Sequence, residues 1–272
     1  VIFEVHIPSL PLSQFIESFI YYRDYNPEHT VERFLPDGHV NIVIDLTDYP
    51  KYIYDNDTLK EIQACKNVWF SGIRNKYITI PSGKESEMFV INFHRGMSYP
   101  FVQMPLYTLT DSVVDGELVL TPEILDMRAM ILESISIPAK FLTAEQFLIK
   151  KFINRLEVNP FIDFAVKTIT STPNQYSVEH IAGKVGYSQK HLIDLFKKNV
   201  GLTPKHFMKI MRFQKAIQEI PASNQINWAG IAVESGYYDQ AHFINDFKTF
   251  SGFTPKEYLA KHSAFQNYVA ID

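Results

Sequence analysis

Few residues in this chain combine the type and the spacing needed for bond-making chemistry. Cys65 is the single cysteine, so neither a disulfide framework nor a cysteine metal site can form, and a reducing cytoplasm is the expected compartment. His39 and His94 fall near segments that read as strands, where a β barrel could use histidines to hold a metal. The usual barrel signature, two histidines one residue apart with a carboxylate following, is missing, so surface or core roles are expected for both. No G-x-S-x-G elbow, phosphate-binding glycine loop or H-E-x-x-H run occurs. The expectation is therefore no catalytic residue, no metal and no cofactor. Tyr49, Tyr52, Tyr54, Trp69, Phe70 and Tyr77 could line a ligand pocket or simply pack and cover edge strands, so no effector-binding residue is assigned.

What the chain repeats is a stretch of about twenty residues. GYSQKHLIDLFKKNVGLTPK begins at Gly186 and GYYDQAHFINDFKTFSGFTPK at Gly236. Gly186-Tyr187 recurs as Gly236-Tyr237, Phe196-Lys197 as Phe247-Lys248, and the Gly201 to Pro204 run as Gly252 to Pro255. One residue is inserted near Asp239. Two copies are too few for a solenoid and read as sister supersecondary units. Each can be assembled from local rules. Ser177 caps a short helix, 178–184, with Val178, Ile181, Ala182 and Val185 facing inward. Gly186 supplies the turn, and Ser188 caps a second helix, 189–198, that buries Leu192, Leu195 and Phe196. In the second copy Asn227 or a neighbour starts a helix burying Ile231, Ala232 and Val233. Gly236 turns, and Asp239 caps 240–250, which buries Phe243 and Phe247. Helix, glycine turn, helix is the helix-turn-helix pattern, whose second helix enters a major groove. Thr203-Pro204 and Thr254-Pro255 each read as an N-cap followed by proline, the latter with a capping box to Glu257. A helix from Pro204 to about Ile220 joins the units, so two readers could address successive major-groove faces about 34 Å apart.

On these landmarks the region 160–262 resembles the DNA-binding domain of the AraC/XylS family of transcriptional regulators, whose signature corresponds to IAVESGYYDQAHFINDFKTFSGFTPKEY. The N-terminal part resembles the β-rich sensor domains that precede it in many members, through LPDG at Leu35–Gly38 and the general order. The resemblance implies DNA-facing residues in each recognition helix: Ser188, Gln189, Lys190, Ile193, Asp194 and Lys197 in the first, and Asp239, Gln240, Ala241, Ile244, Asn245 and Lys248 in the second. Gln and Asn can bridge adenine N6/N7, Asp can accept from cytosine N4, and Ile and Ala can meet thymine methyls. Lys197, Lys198 and Lys248 suit phosphates. Many members carry arginine where this chain has Asp194 and Asn245, so two expected cationic contacts are absent.

The elements that must position these readers are of two kinds. Leu12 to Tyr22 spaces its apolar residues as one helical face. Beyond it, strands are expected over 33–46, 68–80 and 87–93, punctuated by Pro-Asp-Gly and Pro81-Ser82-Gly83 turns. Helical periodicity returns over 122–135 and 139–156, where Leu142, Leu148, Ile149, Phe152, Ile153 and Leu156 form a stripe. The expected fold class is α+β: an antiparallel β unit, barrel- or sandwich-like with helices, over 1–158, and an all-α DNA-binding domain over 159–272. The latter's helix-turn-helix units fall at about 177–200 and 227–251, and Asn159-Pro160 marks the boundary. Charge divides the same way, with residues 1–159 at −7 and residues 160–272 at +3, as expected of a nucleic-acid-binding half fused to something else. No apolar run approaches the roughly 18 residues that span a bilayer, and the N-terminus lacks signal-peptide features. The expected partners are double-stranded DNA over two successive major-groove segments and a small-molecule effector. A second copy could pair through the N-terminal domain or the 140–156 helix, and RNA polymerase would join if the chain activates. The competing readings are a β-barrel enzyme fused to a DNA-binding unit, for which a lone cysteine argues against a repair transferase, and a helix-turn-helix module that binds protein.

Overall fold

Strands dominate the first hundred residues because β-branched and aromatic side chains alternate there between turn residues. The computed structural model describes residues 1–102, 104–220, 226–262 and 265–271. Its first strands are β1 (Ile2–His6), β2 (Ile16–Arg23), β3 (Val31–Phe34), β4 (Asn41–Asp45), β5 (Lys51–Tyr54), β6 (Glu61–Cys65), β7 (Val68–Ser71), β8 (Ile78–Pro81), β9 (Glu87–Phe93) and β10 (Val113–Asp115). Helices α1 (Gly116–Val119), α2 (Ile124–Glu133), α3 (Ile137–Phe152) and α4 (Pro160–Ser171) follow. The last part holds α5 (Val178–Lys184), α6 (Gln189–Val200), α7 (Pro204–Gln218), α8 (Trp228–Glu234), α9 (Gln240–Ser251), α10 (Pro255–Lys261) and a short strand, β11 (Tyr268–Ala270).

The strands form two antiparallel sheets, in the orders β1-β2-β9-β4-β7-β10 and β11-β3-β8-β5-β6. Period-two alternation divides the central strands between two cores. Val43, Trp69, Met88 and Val90 join Ile53, Cys65 and Ile78 in a small inter-sheet core. Ile42, Ile44, Phe70, Phe89 and Ile91 belong to the main core, which continues through α2, α3 and the C-terminal helices. With both faces of β4 and β9 covered, their near-continuous apolar runs follow.

Leu12 to Tyr22 is not the expected helix. Leu12–Gln14 makes one short 3-10 turn, and Ile16–Arg23 is a strand paired with β1 on one side and β9 on the other. A register shift between Ile16 and Ser18 inserts a residue into the alternation. Phe15, Ile16 and Phe19 are then all buried, at a spacing that mimics a helical face. The β-branched and aromatic content of Ile16, Phe19, Ile20, Tyr21 and Tyr22 favours the sheet.

Of the expected stripe, Leu148 and Phe152 are buried and Ile149 and Leu156 pack partly buried against the same core, while Leu142 and Ile153 are 55% and 45% exposed; Phe141 and Ala144 complete the buried face of α3. The buried face is set by β1 and β2: the His6 ring stacks on Phe141 at 5.0 Å, and His6 Nε2 lies 2.6 Å from Glu145 Oε1.

β11 is not among the strands expected from the sequence. It pairs antiparallel with β3 (Val269 opposite Arg33), and the Leu35 amide donates to the Asn267 carbonyl at 2.9 Å. The chain's last described strand thus extends a sheet begun by its N-terminal part.

Candidate nucleic-acid interface

Each helix-turn-helix unit starts from its caps. Ser177 Oγ accepts from the His180 amide and Ser188 Oγ from the His191 amide, which begins α5 and α6 where expected. Asn227 and Asp239 do the same for α8 and α9, accepting from the Gly230 and His242 amides. Each such cap stabilises its helix by about 1 kcal/mol. Gly186 and Gly236 take φ of +74° and +81°, the left-handed turn between the paired helices that residues bearing a Cβ rarely adopt.

Apolar periodicity then fixes which face of α6 and α9 is hidden. Leu192 and Phe196 are fully buried in α6, and Phe243 and Phe247 in α9, with Leu195 partly buried. The opposite face carries the recognition candidates. Ser188, Gln189, Lys190 and Asp194 are exposed, and Ile193 and Lys197 half-buried. In the second unit Asp239, Gln240, Ala241, Asn245 and Lys248 are exposed and Ile244 is half-buried. Each set therefore gathers on one accessible helix face beside its turn. Val233, expected inside α8, is 68% exposed. Its counterpart Gly183 is exposed too, so this position lies outside the packing seam in both copies.

α7 supplies the spacing. Thr203 caps it by accepting from the His206 amide, and Phe207, Ile210, Phe213, Ala216 and Ile217 are buried. Phe207 meets Phe196 of the first unit edge-to-face at 5.6 Å, and Phe213 meets Phe247 of the second at 5.1 Å. Lys209, Arg212 and Lys215, spaced three apart on one helix face, all turn to the second unit. Lys209 pairs with Asp246 at 3.3 Å, Arg212 Nη1 donates to the Gly236 carbonyl, and Lys215 Nζ donates to the Glu234 carbonyl at 2.8 Å. The sequence signal for this set is three cations at i, i+3 and i+6 of the spacer helix.

The β-rich part touches both units and the spacer. The Leu35–Gly38 turn lies on α7, where the Gln214 side chain donates to the Pro36 carbonyl at 2.8 Å and a Cβ on Gly38 would sit 2.7 Å from Met211. Thr110 donates to the Gly201 carbonyl just past α6. Lys197 and Lys198 extend over the rings of Tyr107 and Tyr99, each 5.4 Å from the centroid. Arg33 is sandwiched between Tyr77 and Phe253, at 4.3 and 4.5 Å, just after α9.

His39 is not a ligand-like histidine. Its ring bridges Glu17 and Asp37, each at 3.1 Å. Burial works against its charge, but Asp37 and Glu17 outweigh it and raise its pKa to about 9. Among the described residues no cluster of three or more His, Cys, Asp or Glu side chains could hold a metal ion. No helix there is long and apolar enough to cross a membrane.

Two capped helix-turn-helix units, joined by one buried spacer helix and carrying polar faces on their second helices, define a double helix-turn-helix domain. Comparison with known proteins gives the type. Residues 181–261 match the family described as "Helix-turn-helix domain" and are a helix-turn-helix domain of the AraC type. Residues 4–115 match "Domain of unknown function (DUF6597)". An uncharacterized HTH-type transcriptional regulator of Haemophilus influenzae is 32% identical over 85 residues, 31% of this chain and 28% of that protein. The lactose operon transcription activator of Staphylococcus xylosus is 31% identical over 102 residues, 37% of this chain and 36% of that protein. Sequence similarity to these curated relatives thus spans little more than a third of their length at most. Among solved structures, ToxT of Vibrio cholerae aligns over 89% of this chain and 97% of its own, with 12% identity and a TM-score of 0.48.

Proposed function

We propose that this protein is a one-component transcription regulator that binds specific double-stranded DNA through two non-identical readers. The observation that carries the reading is the repeated geometry: two capped recognition helices with accessible polar faces on a shared spacer. On this reading residues 159–272 hold the DNA, and residues 1–158 take a small effector or a second copy of the chain. The exposed side of α3, including Leu142, is available to such a copy, and RNA polymerase is the further partner of an activator. The cytoplasm is the compartment in which such a regulator works.

An effector would act through differential affinity for two seatings of the β-rich part on the readers. A groove of about 890 Å³, lined by Glu17, His39, Arg95 and Met97 on one side and Asp163, Val166 and Lys167 on the other, touches both halves. It is the place where one ligand could bias that seating.

Selection of bound duplexes from a random pool tests the function directly. The expected product is an asymmetric site with two half-sites about one helical turn apart; no enrichment would reject the proposal. On the selected duplex, Lys190→Ala and Gln240→Ala should each weaken binding by about 1–3 kcal/mol with folding intact, read by fluorescence anisotropy. Lys197→Ala should lower the salt slope by about one, equally for all sequences, because a phosphate contact releases counterions without reading bases. A sequence-selective loss would instead make Lys197 a base reader.

A further inference from the structure

The two readers differ in charge. Residues 177–201 carry Lys184, Lys190, Lys197 and Lys198 against Glu179 and Asp194, a net +2. Residues 227–252 carry Lys248 against Glu234, Asp239 and Asp246, a net −2. The cations that α7 brings beside the second reader are occupied by it: Lys209 holds Asp246, while Arg212 and Lys215 hold the carbonyls that end α8 and its turn. The second reader therefore faces a polyanion with one exposed lysine of its own. Within 227–252 any further backbone contact has to come from a neutral donor.

The inserted residue supplies one. Gly186-Tyr187 leads straight into the Ser188 cap, whereas Gly236-Tyr237 is followed by Tyr238 before the Asp239 cap. Tyr237 does the packing: it is 4% exposed, its ring 5.3 Å from Phe243. Tyr238 is 93% exposed and makes no ring contact or hydrogen bond with any described residue. Exposing a whole tyrosine ring on a monomer gains nothing for the fold, because aromatic side chains stabilise by burial. Its position, one residue before the N-cap of α9, is the end at which a recognition helix approaches the groove and its flanking phosphates.

We propose that Tyr238 is a DNA-backbone contact of the second reader, its phenol hydroxyl donating to a phosphate at the edge of the groove that α9 enters. This rests on the reading of α9 as a recognition helix. A tyrosine hydroxyl is a regular phosphate donor and, being neutral, sits beside the Asp239 carboxylate without the counterion release that a lysine would bring. The second reader would then be positioned by a hydrogen bond and would add little to the salt dependence of binding, most of which belongs to the first.

The test uses the full chain and the selected duplex, with anisotropy titrations at two salt concentrations for wild type, Tyr238→Phe, Tyr238→Ala and Gln240→Ala. Tyr238→Phe, which removes only the hydroxyl, should weaken binding about fivefold. Tyr238→Ala should weaken it at least as much, and both should leave the salt slope and the melting temperature unchanged. Wild-type affinity in Tyr238→Phe alongside a loss in Gln240→Ala would overturn the proposal and keep α9 as a reader. Wild-type affinity in every variant would overturn both. A Tyr238→Ala protein that binds DNA normally but no longer supports transcription in a purified system would make Tyr238 a protein contact, which also overturns it.

Discussion

Phe196→Ala is expected to destabilise the protein by about 3–5 kcal/mol, the cost of truncating a fully enclosed phenylalanine. The side chain is 0% exposed and meets Phe207 edge-to-face at 5.6 Å, so its removal opens a cavity between the first helix-turn-helix unit and the spacer helix. The cavity has little room to collapse, because the end of α6 is held as well, through Thr110 on the Gly201 carbonyl. A loss of this size is a large fraction of the 5–15 kcal/mol by which a typical domain is stable. It should appear as a lowered urea midpoint at unchanged slope. Lys190→Ala, six residues earlier on the exposed face of the same helix, should leave that midpoint in place. Equal midpoints for Phe196→Ala and wild type would mean that the buried and exposed faces of α6 are misassigned.

The second large effect belongs to His39. Its side chain is 13% exposed and lies between Glu17 and Asp37, with Arg95 donating to the Asp37 carbonyl beside it. The rise from 6.5 to about 9 corresponds to about 3 kcal/mol of folding stability. Because the folded-state value is raised, this contribution is complete below pH 6.5 and is lost as pH rises through about 9. The two carboxylates run the other way. Burial opposes the charge on Asp37, but His39 overcomes it, and the His39 hydrogen bond lowers Glu17. Their contributions are complete above the ordinary carboxylate range and are lost as pH falls below it. The cluster therefore works best in mildly acidic to neutral solution.

His39→Gln should cost about 3 kcal/mol at pH 6, since it leaves two carboxylates facing each other with their bridging cation gone. The gap to wild type should close as pH rises past 9. Unfolding midpoints measured across that range decide it; a gap independent of pH would mean that His39 acts by shape and not by charge.

The recognition candidates were legible in the sequence because a helix-turn-helix unit is specified locally. Caps, turn glycines and buried Leu and Phe all fall within about twenty-five residues, and none of them needs a distant partner to be read. Where the sequence misled, the cause was a non-local partner. Phe15, Ile16 and Phe19 looked like a helix face because a bulge against β9 shifts the alternation by one residue. Of the stripe over 139–156 only Leu142 and Ile153 fall outside the core, because β1 and β2 select which side of α3 is covered.

By itself, then, the sequence determined the two helix-turn-helix units, their capping chemistry, the spacer between them and the strand-rich texture of the N-terminal part. Backbone hydrogen bonds and apolar contacts inside each short segment were enough. Only the tertiary structure decided how the halves meet. β11 has no strand signal of its own strength and exists because β3, more than two hundred residues earlier, offers an open edge. Arg33 between Tyr77 and Phe253, the Leu35–Gly38 turn on α7, and Lys197 over Tyr107 are likewise contacts between distant segments. No local propensity encodes them; they arise once each half has folded and its remaining surface finds a complement.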